Sequence, residues 1–220
     1  MQGNASVYGN HHGQGVYVHS GGIFTMNGGT ISDNWGRGLV PNGGGVQVID
    51  GTFIMNGGTI SGNTSNAGGG VIIAGTFIMN GGTISNNTAA LGGGGVCIGG
   101  NSTFTMNGGT ISGNSVELNS YSYPKDFING GGGVEVRFGA IFIKTGGTIT
   151  GYNNDSINGN VIKYSTGTNV NDFGHAIFCA YYNESGHTLI STKRKETTSG
   201  PEDNLYFNGE DGSFSGAWDY

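Results

Sequence analysis

Apolar residues along this chain fall in short runs that recur in nearly the same words. Residues 24–34 read FTMNGGTISDN, and close copies follow as FIMNGGTISGN (53–63), FIMNGGTISNN (77–87) and FTMNGGTISGN (104–114). A worn fifth copy, FIKTGGTITGY, occupies 142–152. Ahead of each copy stands another short run, VYV, VQV, VII, VCI or VEV, beginning at Val16, Val46, Val71, Val96 and Val134. Each unit therefore reads as three short strands, the first Val-led, the second F-x-M and the third T-I-S. Alternate side chains of a strand face opposite sides. Phe24, Phe53, Phe77 and Phe104 are then expected to point inward with Met26, Met55, Met79 and Met106, joined by Ile31, Ile60, Ile84, Ile111 and Ile149. The Thr and Ser beside each Ile face out, and Asn-Gly-Gly supplies the tight or left-handed turn between the strands.

Extended segments this short gain little as isolated hairpins. Stacked on copies of themselves, they acquire a neighbour above and below at about 4.8 Å and bury each Phe, Met and Ile against its counterpart. The predicted fold is all-β: a right-handed parallel β-helix of about five to six coils, the hand following from the preference of parallel crossovers. The solenoid is expected over 1–192, with an incomplete first coil, and a C-terminal cap or irregular tail over 193–220.

Spacing shows where the units differ. From Phe to the third-strand Ile the step is 7 residues in all five units. From that Ile to the next Val-led strand it is 15, 11, 12 and 23, and 28 if Ile177 opens the last coil. Length variation is concentrated at one corner, which is how a solenoid builds a working face. SVYGNHHGQGV (6–16) matches the third strand, corner and first strand of a unit, Val7 taking the place of Ile60. The chain thus starts inside a coil, and the expectation is a preceding stretch of the same repeat or pairing through that edge. At the other end GHAIFC (174–179) reads as a last first strand and TLIS (188–191) as the strand after it. The residues beyond read as a polar cap with a few aromatics folded over the open end. Lys144 fills the inward slot that Met occupies in the other units, which reads as a core opening with the amine reaching out past its stem.

Composition narrows the function classes. Glycine accounts for 48 of 220 residues without the collagen period, and charged residues for only 10%. The formal net charge is −6 and the first basic block is Lys193-Arg194-Lys195, so neither a nucleic-acid groove nor an anionic membrane surface is expected. No apolar run reaches membrane-helix length and no signal peptide is evident at Met1. Cys97 and Cys179 fit no metal-ligand spacing and read as structural thiols.

The phrase GGGV-x-V … F-x-M-N-GGTISGN resembles the repeats of bacterial right-handed parallel β-helix proteins, large glycine-rich proteins of pectate-lyase-like architecture. The resemblance spans roughly residues 5–204 and extends to F-I-K-T-GGTI-T-G (142–151), GHAIF (174–178) and KRKETTSGPEDN (193–204). It implies a cell-surface or secreted setting, and it says little about activity, because the fold hosts lyases, hydrolases and adhesins alike.

Candidate chemistry is sparse. Glycoside hydrolysis needs two carboxylates across one groove. Glu135 is the acid that sits plainly on a strand, and it is expected to form an outward surface ion pair with Arg137. Glu117, Asp126, Asp155 and Asp172 lie in the long corner loops, where an enzymatic pair of acids would have to assemble. His11, His12 and His19 lack the acidic partners usual around a metal, the glycine runs are followed by no phosphate-loop lysine, and no metal or cofactor is expected. The columns Thr30/Ser32, Thr59/Ser61, Thr83/Ser85, Thr110/Ser112 and Thr148/Thr150 resemble the hydroxyl ladder of β-helical ice-binding proteins, with Ser replacing Thr in most of the second column. The variable corner holds the remaining candidates. Trp35 and Arg37 in the first loop, with Tyr121, Tyr123, Lys125 and Asp126 in the fourth, make a set suited to a polysaccharide: aromatics to stack and polar groups to orient. The expected function is a non-catalytic structural or adhesive module that binds glycan or a host surface at these loops. A polysaccharide lyase or glycosidase is the alternative, and ice binding the minor one.

Overall fold

The computed structural model describes residues 5–36, 43–118, 130–152, 158–164, 176–182, 189–194, 198–199, 205–208 and 213–216. They form a parallel β-solenoid of about four turns with a curled, half-barrel sheet and no helix. The five to six coils expected are reached only by counting the incomplete coils at either end.

The T-I-S segments stack in register in a seven-stranded sheet, Thr30↔Thr59↔Thr83↔Thr110↔Thr148 forming one column and Ile31↔Ile60↔Ile84↔Ile111↔Ile149 the next. Ser6–Tyr8 begins this sheet with Val7 opposite Ile31, as the repeat alignment predicts. The five Ile side chains are fully buried, while the flanking Thr and Ser are half-buried. The Val-led and F-x-M segments occupy a single twelve-stranded sheet rather than two separate ones. In two coils they are one unbroken strand, Val46–Met55 and Val71–Met79, bent over Asp50-Gly51 and Gly75. This is the curl. Phe24, Phe53, Phe77 and Phe104 stack along its interior with centroids 5.3, 4.8 and 4.6 Å apart, so each coil places its ring on the face of the next. The second glycine of each Asn-Gly-Gly turns the chain out of the F-x-M strand with positive φ, 91° at Gly58 and 89° at Gly82.

The corner after T-I-S, expected as loop, carries a third, five-stranded sheet: Trp35–Gly36, Thr64–Ala67, Thr88–Gly92, Ser115–Leu118 and Val161–Tyr164. The strands exist because one asparagine per coil anchors their entry. Asn34, Asn63, Asn87, Asn114 and Asn160 are buried and stack as a ladder. Each side-chain Nδ2 donates to the next Oδ1 at 2.8–2.9 Å, and that same Oδ1 accepts the preceding asparagine's backbone N–H at 3.0 Å. The Nδ2 also reaches back to a strand carbonyl of the preceding coil, Val7 in the case of Asn34 at 3.3 Å and Ile60 in the case of Asn87 at 3.0 Å. The signal was visible as I-x-x-N in four units, but a lone Asn after a strand reads as a turn residue. In the last unit Asn160 lies 11 residues after Ile149, and the ladder still closes on it.

After each of the first four corner strands the chain passes three glycines immediately before the next Val-led strand. They are a packing requirement. A Cβ on Gly69 would sit 2.5 Å from the Gly94 carbonyl and 2.6 Å from that of Thr88, and one on Gly70 would meet Ile84 at 2.9 Å. Backbone here lies directly on backbone.

The C-terminal end differs from expectation. Leu189–Arg194, which includes most of TLIS, is the strand expected after Ile177–Tyr182, but it leaves the parallel stack. It pairs antiparallel with Ile177–Tyr182, which continues the Val-led column parallel to Val134–Val136. Thr198–Ser199 pairs antiparallel with Thr148–Ile149, and Leu205–Asn208 with Ile141–Lys144. Lys144 therefore does not mark an opening core. It is fully buried, opposite Leu205, under a strand that also brings Phe207 over Phe142.

Candidate functional site

The outward rows of the Val-led strands offer the described surface on which a ligand could lie. One row runs Tyr17, Gln47, Ile72, Cys97, Glu135 and Phe178; its neighbour runs His19, Ile49, Ala74, Gly99 and Arg137. A strand with one wet face would leave both rows exposed. Here the first is buried from Gln47 onward, because the end of each corner strand folds back over it: Ala67 packs with Ile72 and Cys97, and Gly92 lies against the Glu135 carboxylate with no room for a side chain.

Glu135 is consequently not part of a surface ion pair. Its side chain is 2% exposed and Oε2 accepts from Arg137 Nη2 at 3.2 Å, from Arg137 Nε at 3.3 Å and from the Cys97 thiol at 3.3 Å. The arginine side chain is 33% exposed. It neutralises the buried acid from one side and presents its remaining N–H donors at the surface. A carboxylate held this way, with no second acid beside it among the described residues, has the make-up of a structural anchor for an arginine.

The second row stays open and forms the floor of a groove of about 420 Å³. Gln47, Ile49, Ile72, Ala74 and Gly99 line it, and Arg137 closes one end. The groove crosses coils along the solenoid axis, so its floor repeats at the rung spacing of about 4.8 Å. Beyond Ile49, on the same two rows, Tyr17 and His19 are exposed with their rings 5.5 Å apart. An apolar floor with polar groups at the ends is the usual make-up of a small-molecule or sugar site.

The residues predicted for the corner divide as follows. Trp35 is 39% exposed on the two-residue strand Trp35–Gly36, paired with Thr64–Ser65 at the edge of the corner sheet, away from the groove. Arg37, Tyr121, Tyr123, Lys125 and Asp126 lie outside the described residues, as do Asp155 and Asp172. Glu117 is described, and its Oε1 is 2.8 Å from Lys163 Nζ on the next corner strand. His11, His12 and His19 are exposed, and among the described residues no three His, Cys, Asp or Glu side chains come together as a metal site. Sequence reasoning missed the groove because it depends on which of two adjacent outward rows the corner strands cover.

The two cysteines face opposite sides of their sheet: Cys97 lies outward beside Glu135, whereas Cys179 continues the inward column of Ile98 and Val136. Both thiols are fully buried, and burial, reinforced by the Glu135 carboxylate, pushes both well above the usual thiol range. An unfolded cysteine ionises near pH 8.5 and the folded ones do not, so the unfolded chain releases its protons first. This contribution to stability is complete below about pH 8.5 and is lost as pH rises towards the folded values, at up to about 1.4 kcal/mol per pH unit per thiol. Urea midpoints between pH 7 and 10 should fall more steeply for this chain than for Cys97→Ala/Cys179→Ala, and parallel curves would contradict the assignment.

Compared with protein-family models, with curated proteins and with solved structures, the chain matches none.

Proposed function

We propose that this chain is a non-catalytic structural and adhesive module of a bacterial surface or secreted protein, and that it holds a glycan chain in the groove over Ile49, Ala74 and Gly99. The observation that carries the reading is the groove itself: elongated along the coil axis, floored by aliphatic residues and ended by Arg137 and Gln47. Pyranose rings present an apolar C–H face and a hydroxyl rim, which suits such a floor with donors at its ends. A guanidinium already half-neutralised by Glu135 favours neutral sugars or isolated carboxylates over densely charged polymers. The recurring interior serves the scaffold, each coil burying the next.

The test is a glycan array with neutral and uronic-acid polysaccharides, repeated with Ala74→Trp and Trp35→Ala. Ala74 is exposed on the groove floor, so a Trp there fills the groove without disturbing the core. Binding should drop at least about tenfold, the equivalent of about 1.4 kcal/mol, with Ala74→Trp and persist with Trp35→Ala. The reverse pattern would return the site to the corner, and no retained glycan would end the adhesive reading.

A further inference from the structure

The outer face of the T-I-S sheet belongs to a different sheet from the groove and carries a different chemistry. Two columns of hydroxyls run along it on either side of the buried Ile column. One runs in register from Thr30 to Thr148. The other runs from Ser32 to Ser112 and continues at Thr150, whose N–H donates to the Ile111 carbonyl. All of these side chains are half-buried.

Hydroxyls elsewhere in the chain find protein partners. Thr88 and Ser115 share a hydrogen bond at 3.1 Å, Ser65 donates to the Ala67 carbonyl at 2.9 Å, and Thr145 donates to Asn107 Oδ1 at 2.9 Å. Among the described residues, none of the hydroxyls in the two columns has such a partner. Stacked neighbours lie one rung apart, at about 4.8 Å, which is beyond hydrogen-bond reach. Their bonding capacity is left entirely to water.

The spacings are close to those of water bonded to water. Oxygens joined at about 2.75 Å with tetrahedral angles put second neighbours about 4.5 Å apart and third neighbours, along an extended path, about 6.9 Å apart. Hydroxyls in a common rotamer repeat at about 4.8 Å along each column, and the two columns stand about 6.6 Å apart. One water therefore bridges consecutive rungs, and two waters in line bridge the columns. The array is also held stiffly. The Ile side chains beneath it are fully buried, and along one margin the exposed asparagines Asn56, Asn80 and Asn107 each donate Nδ2 to the Oδ1 of the coil before, at 2.8–2.9 Å. From that margin to the residue after each T-I-S, the five coils hold a single charged side chain, Asp33, whose carboxylate lies against Gly62 of the next coil.

We propose that this face binds ice, its two hydroxyl columns setting a first layer of tetrahedrally bonded water on which the crystal continues. The Ser column is the looser half of the site, because Thr is β-branched and stiff at χ1 whereas Ser turns among three rotamers.

Thermal hysteresis of a single ice crystal in a solution of the full chain tests the proposal. The wild-type chain should open a gap between melting and growth temperatures. Thr83→Tyr, at the centre of the face and well suited to a strand, should close that gap while the β-sheet circular dichroism spectrum is kept. Ser61→Thr/Ser85→Thr, which stiffens two adjacent rungs, should widen it, and this pair decides the matter if Tyr disturbs the sheet. Ala74→Trp, which fills the groove, should leave the gap unchanged, so the ice face and the glycan groove stand or fall separately. No gap in the wild-type chain, a full gap in a folded Thr83→Tyr chain, or no widening in the Ser-to-Thr pair would each overturn the proposal. Retention on crystalline chitin or cellulose without hysteresis would overturn it too, and would give the face to a crystalline carbohydrate instead.

Discussion

Asn87→Ala should lower the unfolding free energy by about 3–5 kcal/mol, because it leaves several buried polar groups unpaired at about 1–3 kcal/mol each. Asn87 stands in the middle of the ladder. Its Oδ1 accepts both the backbone N–H and the Nδ2 of Asn63, and its Nδ2 serves Ile60 O and Asn114 Oδ1. Asn63 Nδ2 retains the Ile31 and Ser61 carbonyls, but the Asn63 N–H is left in a fully buried position without that acceptor. No water replaces it cheaply at such a site. The comparison is Asn80→Ala in the exposed ladder, where water can take over the lost bonds and the loss should stay below about 1 kcal/mol. Urea unfolding of the two variants measures both. Equal losses would mean that the buried ladder is no stronger a constraint than its exposed counterpart.

Gly69→Ala is the second large effect, on the order of 3 kcal/mol or more, at the upper end of what overpacking usually brings. The added methyl meets the carbonyls of Gly94 and Thr88, and both belong to backbone that is hydrogen-bonded across the coils. A side chain would yield by changing rotamer, whereas these carbonyls yield only if the stack of coils opens. Gly13→Ala is the control: an added Cβ there meets nothing within 4 Å, and stability should hold or rise by about 0.4–1 kcal/mol through the less flexible unfolded chain. Thermal melts of both variants decide the matter, and a mild Gly69→Ala would mean that the corner sheet does not rest on the glycine column.

Much of the interior was legible along the chain. A seven-residue step from Phe to Ile, kept in every unit, leaves one way to stack Phe, Met and Ile in columns, and Val7 could be placed opposite Ile31 by the same alignment. The chemistry at the corner was less legible. Glu135 and Arg137 alternate outward on a strand, and period alone makes such residues a wet surface pair. They are otherwise because Gly92 of the neighbouring coil lies on the carboxylate. Lys144 read as the sign of an opening core because the strand that covers it, Leu205–Asn208, comes from some 60 residues further on and pairs antiparallel, a direction that the repeat does not announce.

The chain by itself thus determined the repeat, its inward columns and the turns between them, since these follow from local alternation and from glycine's freedom at a fixed position. The tertiary structure decided which outward row is covered and which forms a groove, which asparagines become a buried ladder, and how antiparallel strands cover Lys144 and Phe142. Those outcomes depend on contacts between coils 24 or more residues apart in the buried ladder, where a side chain's surroundings are set by what the next turn of backbone lays over it.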